Sequence, residues 1–218
     1  MGYDAVLLDN DGVITTITDR SVLARAVRDA FRDMGVEDPD ETDVEDLVIG
    51  VTPDRLAAVA GRYSLDPRAF WYRRDVRSSL VQERELYAGR KPLYDDVAAL
   101  SEIPLPMGIV SSNQHRTIEF ILDFHEFGDR FDTYYGRGMG VEDLDRKKPD
   151  PHFLDRALDD LGAESALFVG DSESDVVAAH RAGLDSAFIR RSHCADATPS
   201  TDPDYEVQNL YDVVTIAN

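Results

Sequence analysis

Ala5-Val6-Leu7-Leu8-Asp9-Asn10-Asp11-Gly12-Val13 decides how this chain is read. Four apolar residues run straight into two carboxylates spaced two apart, and a glycine follows. The run is too short for a helix and ends in a turn signal, so it reads as a buried strand of a parallel sheet. Such a strand delivers Asp9 and Asp11 to its carboxyl end, where open α/β sheets bind ligands. Period-2 geometry sends both to one side if the strand continues, and Gly12 is placed to break it into a turn. Two neighbouring carboxylates repel each other unless a cation sits between them, which points to a Mg²⁺ site containing a nucleophile.

Three later stretches support that reading, in order along the chain. Met107-Gly108-Ile109-Val110-Ser111-Ser112-Asn113 is an apolar strand ending in serine. Lys148-Pro149-Asp150-Pro151 is followed by Phe153 and a helical segment. Leu167-Phe168-Val169-Gly170-Asp171-Ser172-Glu173-Ser174-Asp175 is a second apolar strand ending in carboxylates. With the opening stretch, these resemble the four motifs of the haloacid-dehalogenase-like (HAD) hydrolase superfamily, across nearly the whole chain. The resemblance implies an α/β fold, a Rossmann-like core with a parallel sheet and a small helical cap domain inserted after the first strand.

Composition bears on habitat and partners. The 218 residues suit one domain with a modest insertion. The formal net charge is −20, from 31 Asp and 12 Glu against 20 Arg and only 3 Lys. A dispersed Asp surface with Arg in place of Lys is what a protein from a very salty cytoplasm, a halophile, shows. Its self-repulsion is screened to a length of about 3 Å in molar salt. No basic footprint for nucleic acid is present. No apolar stretch approaches the ~20 residues of a spanning helix, and the chain enters a strand at once, so the expectation is a cytoplasmic protein without signal peptide. Cys194 is the single cysteine, so no intrachain disulfide forms. Two of the three lysines are adjacent at Lys147-Lys148, where a lysine-poor surface has kept them. The family pattern assigns the role to Lys148.

From Ser21 to Gly35 apolar residues recur at helical spacing, and Val44–Ile49, Asp54–Tyr63 and Pro67–Leu86 read as further helices. Residues 19–88 are therefore expected to form a helical cap of the C1 type, and residues 1–18 with 89–218 the core. By resemblance the cap packs over the carboxyl ends of the core strands. Thr15–Asp19 reads as a hinge or flap. Helices at Leu93–Leu100, Gln114–Phe124, Pro151–Leu161 and Ser174–Ala182 alternate with strands at 107–111, 166–170 and 186–189, a βαβ rhythm. Tyr205–Val207 reads as a short edge strand.

The resemblance also implies roles. Asp9 is the nucleophile and Asp11 the general acid and base. Ser111 binds the phosphoryl group, helped by N–H groups at a helix start around Ser112 and Asn113, and Lys148 neutralises charge. Mg²⁺ is held by Asp9, Asp171 and the backbone carbonyl of Asp11. Asp175 holds a metal-bound water or orients Lys148, or is simply an acid at a helix N-terminus. An acid at position 11 favours transfer from an oxygen ester, because dehalogenases in the superfamily lack one there. The expected activity is hydrolysis of a small phosphorylated metabolite. The alternatives are a phosphomutase of the β-phosphoglucomutase type, whose expected histidine is missing from Thr15 to Gly35, and a non-catalytic phosphate binder. Substrate selection falls to the cap, where Arg55, Arg62, Arg68, Arg73, Arg74 and Arg77 either supply a clamp for a second anionic group or are exposed arginines of a salt-adapted surface. Trp71 and Tyr72 there either close over a ligand or belong to the core.

Overall fold

In the computed structural model, which describes residues 2–218, β1 (Ala5–Leu8) lies inside a six-stranded sheet. The other strands are β2 (Met107–Gln114), β3 (Thr133–Arg137), β4 (Ala166–Gly170), β5 (Asp185–Ile189) and β6 (Tyr205–Val207). Their order is β3-β2-β1-β4-β5-β6, and β1 pairs in parallel with both β2 and β4. The chain order reverses at β1, so ligands are expected beyond its carboxyl end. Leu8 lies opposite Ile109 on one side and Val169 on the other. Asp9 therefore emerges at the same edge of the sheet as the ends of β2 and β4.

Both faces of β1 are covered, which is why its four residues are apolar without alternation. Val6 and Leu8 face one cluster with Ile109, Leu167, Val169 and α8 (Leu210–Ala217). Ala5 and Leu7 face the opposite cluster, with Phe168 and with helices α6 (His152–Leu161) and α7 (Glu173–Arg181). Each fully buried leucine here contributes roughly 1.5–3 kcal/mol. α5 (His115–Phe124) packs Ile118 and Leu122 into the first cluster.

The chain divides into two compact units. The first comprises Met1–Ile17, Pro92–Gly136 and Arg146–Asn218, and the second Thr18–Lys91 with Arg137–Asp145. The second unit holds α1 (Arg20–Asp33), α2 (Glu41–Asp46), α3 (Pro53–Arg62) and α4 (Pro67–Tyr87). Each begins at a side chain that accepts a backbone N–H, namely Asp19, Asp40, Thr52 and Asp66. Its core gathers Phe31, Leu47, Leu56, Phe70 and Trp71.

Three sequence expectations need correction. β3 was not anticipated, because Thr-Tyr-Tyr-Gly-Arg is a short edge strand with a glycine in it. The expected helix at Leu93–Leu100 is a 3-10 segment, Asp95–Glu102. The expected division assigned everything after residue 88 to the core, yet Arg137–Asp145 belongs to the helical unit. Val141 and Leu144 pack into that unit's core, and Arg137 pairs with Asp75 on α4. Trp71, for which ligand closure and a core place were both open, takes the core place at 1 % exposure.

Candidate active site

The site residues all lie in the first unit, at the carboxyl ends of β1, β2 and β4 and in the loop before α6. Asp9 follows β1 directly, and its N–H donates to the Val169 carbonyl at 2.9 Å, continuing the ladder. The chain then turns sharply, with the Asn10 carbonyl accepting N–H bonds from Val13, Ile14 and Thr15. Asn10 is fully buried, and its amide donates to Thr15 Oγ1 at 3.1 Å. Gly12 turns the backbone at φ +82°, and a Cβ there would stand 1.9 Å from Asp171 Oδ2. Glycine is required on both counts.

Asp9, Asp171 and Asp175 converge, each offering one oxygen within 4.8 Å of the others. Lys148 lies between two of them, its Nζ 2.9 Å from Asp9 Oδ2 and 2.6 Å from Asp175 Oδ1. The same ammonium donates to the Val110 carbonyl at 3.1 Å, so two carboxylates and a carbonyl surround it. Burial opposes the Lys148 charge, but Asp175 and Asp9 outweigh it and hold its pKa above the ordinary lysine range. Burial pushes Asp9 up to about 7; Lys148 pulls it down, and Asp175, Asp171 and Asp11 push it up again. Burial likewise raises Asp171, against a hydrogen bond from His193. Three carboxylates around one ammonium leave an excess of negative charge, which fits a divalent cation bound by oxygen ligands.

Asp175 uses both oxygens on protein groups. Oδ2 accepts from the N–H groups of Asp171 and Ser172 and from Ser172 Oγ, and Oδ1 faces Lys148. It closes a capping box at the start of α7 and anchors the lysine at once. Asp9 meets fewer protein groups, the Asn10 N–H at Oδ1 and Lys148 at Oδ2, and Asp171 meets His193 at Oδ2. The side chain of Asp11 stands outside this group, and its Oδ2 accepts from Asn113 Nδ2 at 2.8 Å.

The second motif differs from expectation. β2 runs on to Gln114 and α5 begins only at His115, so Ser112 and Asn113 are strand residues rather than a helix start. The Asn113 N–H is directed to Ser111 Oγ at 3.3 Å. Ser111 is buried at 2 % exposure. Sequence reading also missed His193, whose Nε2 lies 2.6 Å from Asp171 Oδ2. His193 belongs to no motif, and no spacing in Arg190-Arg191-Ser192-His193-Cys194 points to it.

The arginines considered for substrate selection pair within their own unit. Arg62 bonds Asp43, Arg77 and Arg73 reach Asp33, and Arg55 reaches Asp46. Arg74 is buried against Asp75 and the carbonyls of Leu47 and Val48. Arg68 and Tyr72 are exposed.

A parallel sheet carrying an Asp-x-Asp strand end, a buried lysine and a second acidic strand end defines a hydrolase of the HAD-like α/β class. Residues 6–189 match the model of the haloacid dehalogenase-like hydrolase family, and the chain belongs to that family. The pyrophosphatase PpaX of Oceanobacillus iheyensis is 28 % identical over 144 residues, 64 % of this chain and 65 % of the relative. PpaX of Bacillus cereus is also 28 % identical, over 66 % of this chain and 64 % of the relative. The matched region thus spans just under two thirds of these relatives. Among solved structures, CbbY from Rhodobacter sphaeroides superposes with a TM-score of 0.71 at 19 % identity, covering 97 % of this chain and 96 % of that one. A protein from Haemophilus somnus, predicted to be a phosphoglycolate phosphatase, gives 0.70 at 19 % identity, covering 99 % and 98 %. Among the described residues, no helix is long and apolar enough to cross a membrane.

Proposed function

We propose that this protein is a Mg²⁺-dependent phosphatase that hydrolyses a small organic phosphate monoester through an aspartyl-phosphate on Asp9. The observation that carries the reading is the convergence of Asp9, Asp171 and Asp175 within 4.8 Å, with Lys148 bridging Asp9 and Asp175. Relatives named as pyrophosphatases, and neighbours solved with phosphate and with xylulose-(1,5)bisphosphate, support a small phosphorylated substrate. We place the enzyme in the cytoplasm, with the helical unit as its cap domain.

Asp9 and Asp171, with the Asp11 carbonyl, would hold the metal. Bound Mg²⁺ supplies the positive charge that lets an anionic carboxylate approach an anionic phosphoryl group. A carboxylate oxygen of Asp9 attacks phosphorus and the ester P–O bond breaks. Asp11 gives its proton to the departing alkoxide, so the alcohol leaves neutral. It then takes a proton from water as the water attacks phosphorus, which breaks the Asp9–phosphorus bond and releases inorganic phosphate. Asn113 fixes the Asp11 carboxyl through Oδ2. Lys148 limits charge on Asp9 throughout.

The test is phosphate release from a panel of monoesters, with pyrophosphate included, in high KCl and Mg²⁺. The wild type should turn over at least one compound, and EDTA and Asp9→Asn should each abolish turnover. Conversion of a sugar phosphate to its isomer without phosphate release would instead establish a mutase. Folded protein that binds phosphate esters but never turns them over would establish a binder.

A further inference from the structure

We infer that His193 is a positioning residue that fixes the Asp171 carboxylate for the metal, an inference that rests on the reading of Asp171 as a metal ligand. A carboxylate is acceptor-only, so the 2.6 Å contact places a proton on Nε2 and makes the imidazole the donor to Asp171 Oδ2. Gly12 crowds the same oxygen, since a Cβ there would stand 1.9 Å from Oδ2 and 3.1 Å from His193 Cε1. One Asp171 oxygen is thereby hydrogen-bonded by the imidazole in a space that only glycine at position 12 leaves free, which favours one orientation of the carboxylate.

The turn that carries His193 is anchored rather than loose. Arg191, two residues earlier, is buried and makes a two-pronged pair with Asp96 at 2.8 and 3.0 Å. It also donates to the Val13 carbonyl at 2.8 Å, tying this turn to the loop that contains Asp9 and Gly12. Asp96 is fixed in turn by the Leu210 N–H at 2.8 Å. Arg190 is held by Glu206 and the Ala197 carbonyl, and the Cys194 N–H closes the turn on the Arg191 carbonyl at 3.0 Å. His193 thus reaches Asp171 from a frame set by six other contacts. Only 21 % of its side chain remains exposed. His193 is not among the residues whose oxygens or nitrogens converge on Asp9 and Asp175, so it acts on the metal through Asp171. Groups that orient a ligand in this way typically change metal affinity by about 10–100-fold when removed.

The experiment is calorimetric titration of the full-length protein with Mg²⁺ in high KCl, for wild type, His193→Ala and His193→Gln. The metal-free thermal midpoint of each is measured alongside. The glutamine amide can donate from nearly the same place as Nε2. The expected result is a Mg²⁺ Kd weakened about tenfold or more in His193→Ala and within about threefold of wild type in His193→Gln. Where His193→Ala does not fold, His193→Leu removes the donor while filling the space. Mg²⁺ bound by the donor-free variant as tightly as by wild type, or more tightly, overturns the inference. So does a His193→Gln protein as weak as His193→Ala. Wild-type protein that binds no Mg²⁺ overturns the metal site itself, a failure read from the wild type alone.

Discussion

Lys148 is held more closely by Asp175 than by Asp9, at 2.6 Å against 2.9 Å. The residue that orients the lysine is therefore distinct from the proposed nucleophile, and it sits at the first turn of α7, where three other donors fix it. Lysine position and helix start are mechanically one device. Asp175→Asn keeps the capping geometry but gives up a charge, and we expect kcat to fall about 10–100-fold with KM little changed. Asp175→Ala also loses the cap, and should cost about 1 kcal/mol more in stability than the asparagine variant. Steady-state kinetics and urea unfolding of the pair separate the two losses; equal kcat in wild type and Asp175→Asn would remove Asp175 from the mechanism.

Asp9 gives the metal-free protein a characteristic pH dependence. Its folded pKa, pushed up to about 7 by burial, exceeds that of an exposed aspartate. The folded state therefore holds a proton that the unfolded state has lost. Stability drawn from neutral Asp9 is present below about pH 4 and is lost as the pH rises through about 7. Asp9→Asn cannot lose that proton. The thermal midpoint of Asp9→Asn minus that of wild type, both without metal, should grow between pH 4 and 7 and level off above. A difference that stays flat across this range would show that Asp9 titrates like an exposed carboxylate.

Gly12 is the least replaceable residue of the opening loop. Alanine there meets a φ of +82° and places a Cβ 1.9 Å from Asp171 Oδ2. The backbone strain costs roughly 1–2 kcal/mol, and the carboxylate must also move. Gly12→Ala is expected to weaken Mg²⁺ binding by more than tenfold, a shift calorimetry reads directly. Gly35→Ala is the control, because it has a similar φ of +85° and open space around its Cβ. It should lose stability and keep metal affinity.

The strands that carry the site were legible because each is a short buried apolar run ending in a polar group, a pattern that run length and the residues after it expose. Asp9, Lys148, Asp171 and Asp175 are brought together by two such strand ends and one loop. Ser112 and Asn113 are expected at a helix start because nothing in Ser-Ser-Asn-Gln distinguishes a strand that continues from one that has ended. The pairing of Asn113 with Asp11 joins residues 102 positions apart, and that of His193 with Asp171 depends on a turn fixed by Arg191 and Asp96. Arg137–Asp145 joins the helical unit through Asp75, which no local pattern foretells.

Asp75 is the charge on which the helical unit most depends. It is fully buried between Arg74 and Arg137, and both guanidinium groups lie about 5 Å from the centre of the Trp71 ring. Burial works against the Arg74 charge, which Asp75 supports. Asp75→Asn leaves two desolvated cations facing each other, and removal of one partner from a buried pair costs about 3–5 kcal/mol. Asp29→Asn, which breaks the exposed Arg32–Asp29 pair at 2.9 Å, should cost no more than about 1 kcal/mol. Urea unfolding of the two variants makes the comparison, and similar losses would mean that burial does not set the worth of these pairs.

Salt acts on this protein in two opposing ways, and their sizes decide the outcome. Exposed pairs such as Arg20–Glu45 and Arg90–Glu85 weaken as salt rises. Each is worth about 1 kcal/mol at most. The formal charge of −20 acts the other way, because 43 acidic residues against 23 basic ones repel across the whole surface. At 0.1 M salt that repulsion reaches about 10 Å, and at 1 M only about 3 Å. The three lysines also stay off the exposed surface, Lys91 and Lys148 buried and Lys147 half-buried, which leaves arginine as the surface cation. Repulsion summed over so many carboxylates outweighs a handful of exposed pairs. The thermal midpoint of the metal-free protein should therefore rise continuously from 0.1 M to molar KCl. A midpoint that falls with added KCl would mean that the ion pairs dominate and that the acidic surface is not an adaptation to salt.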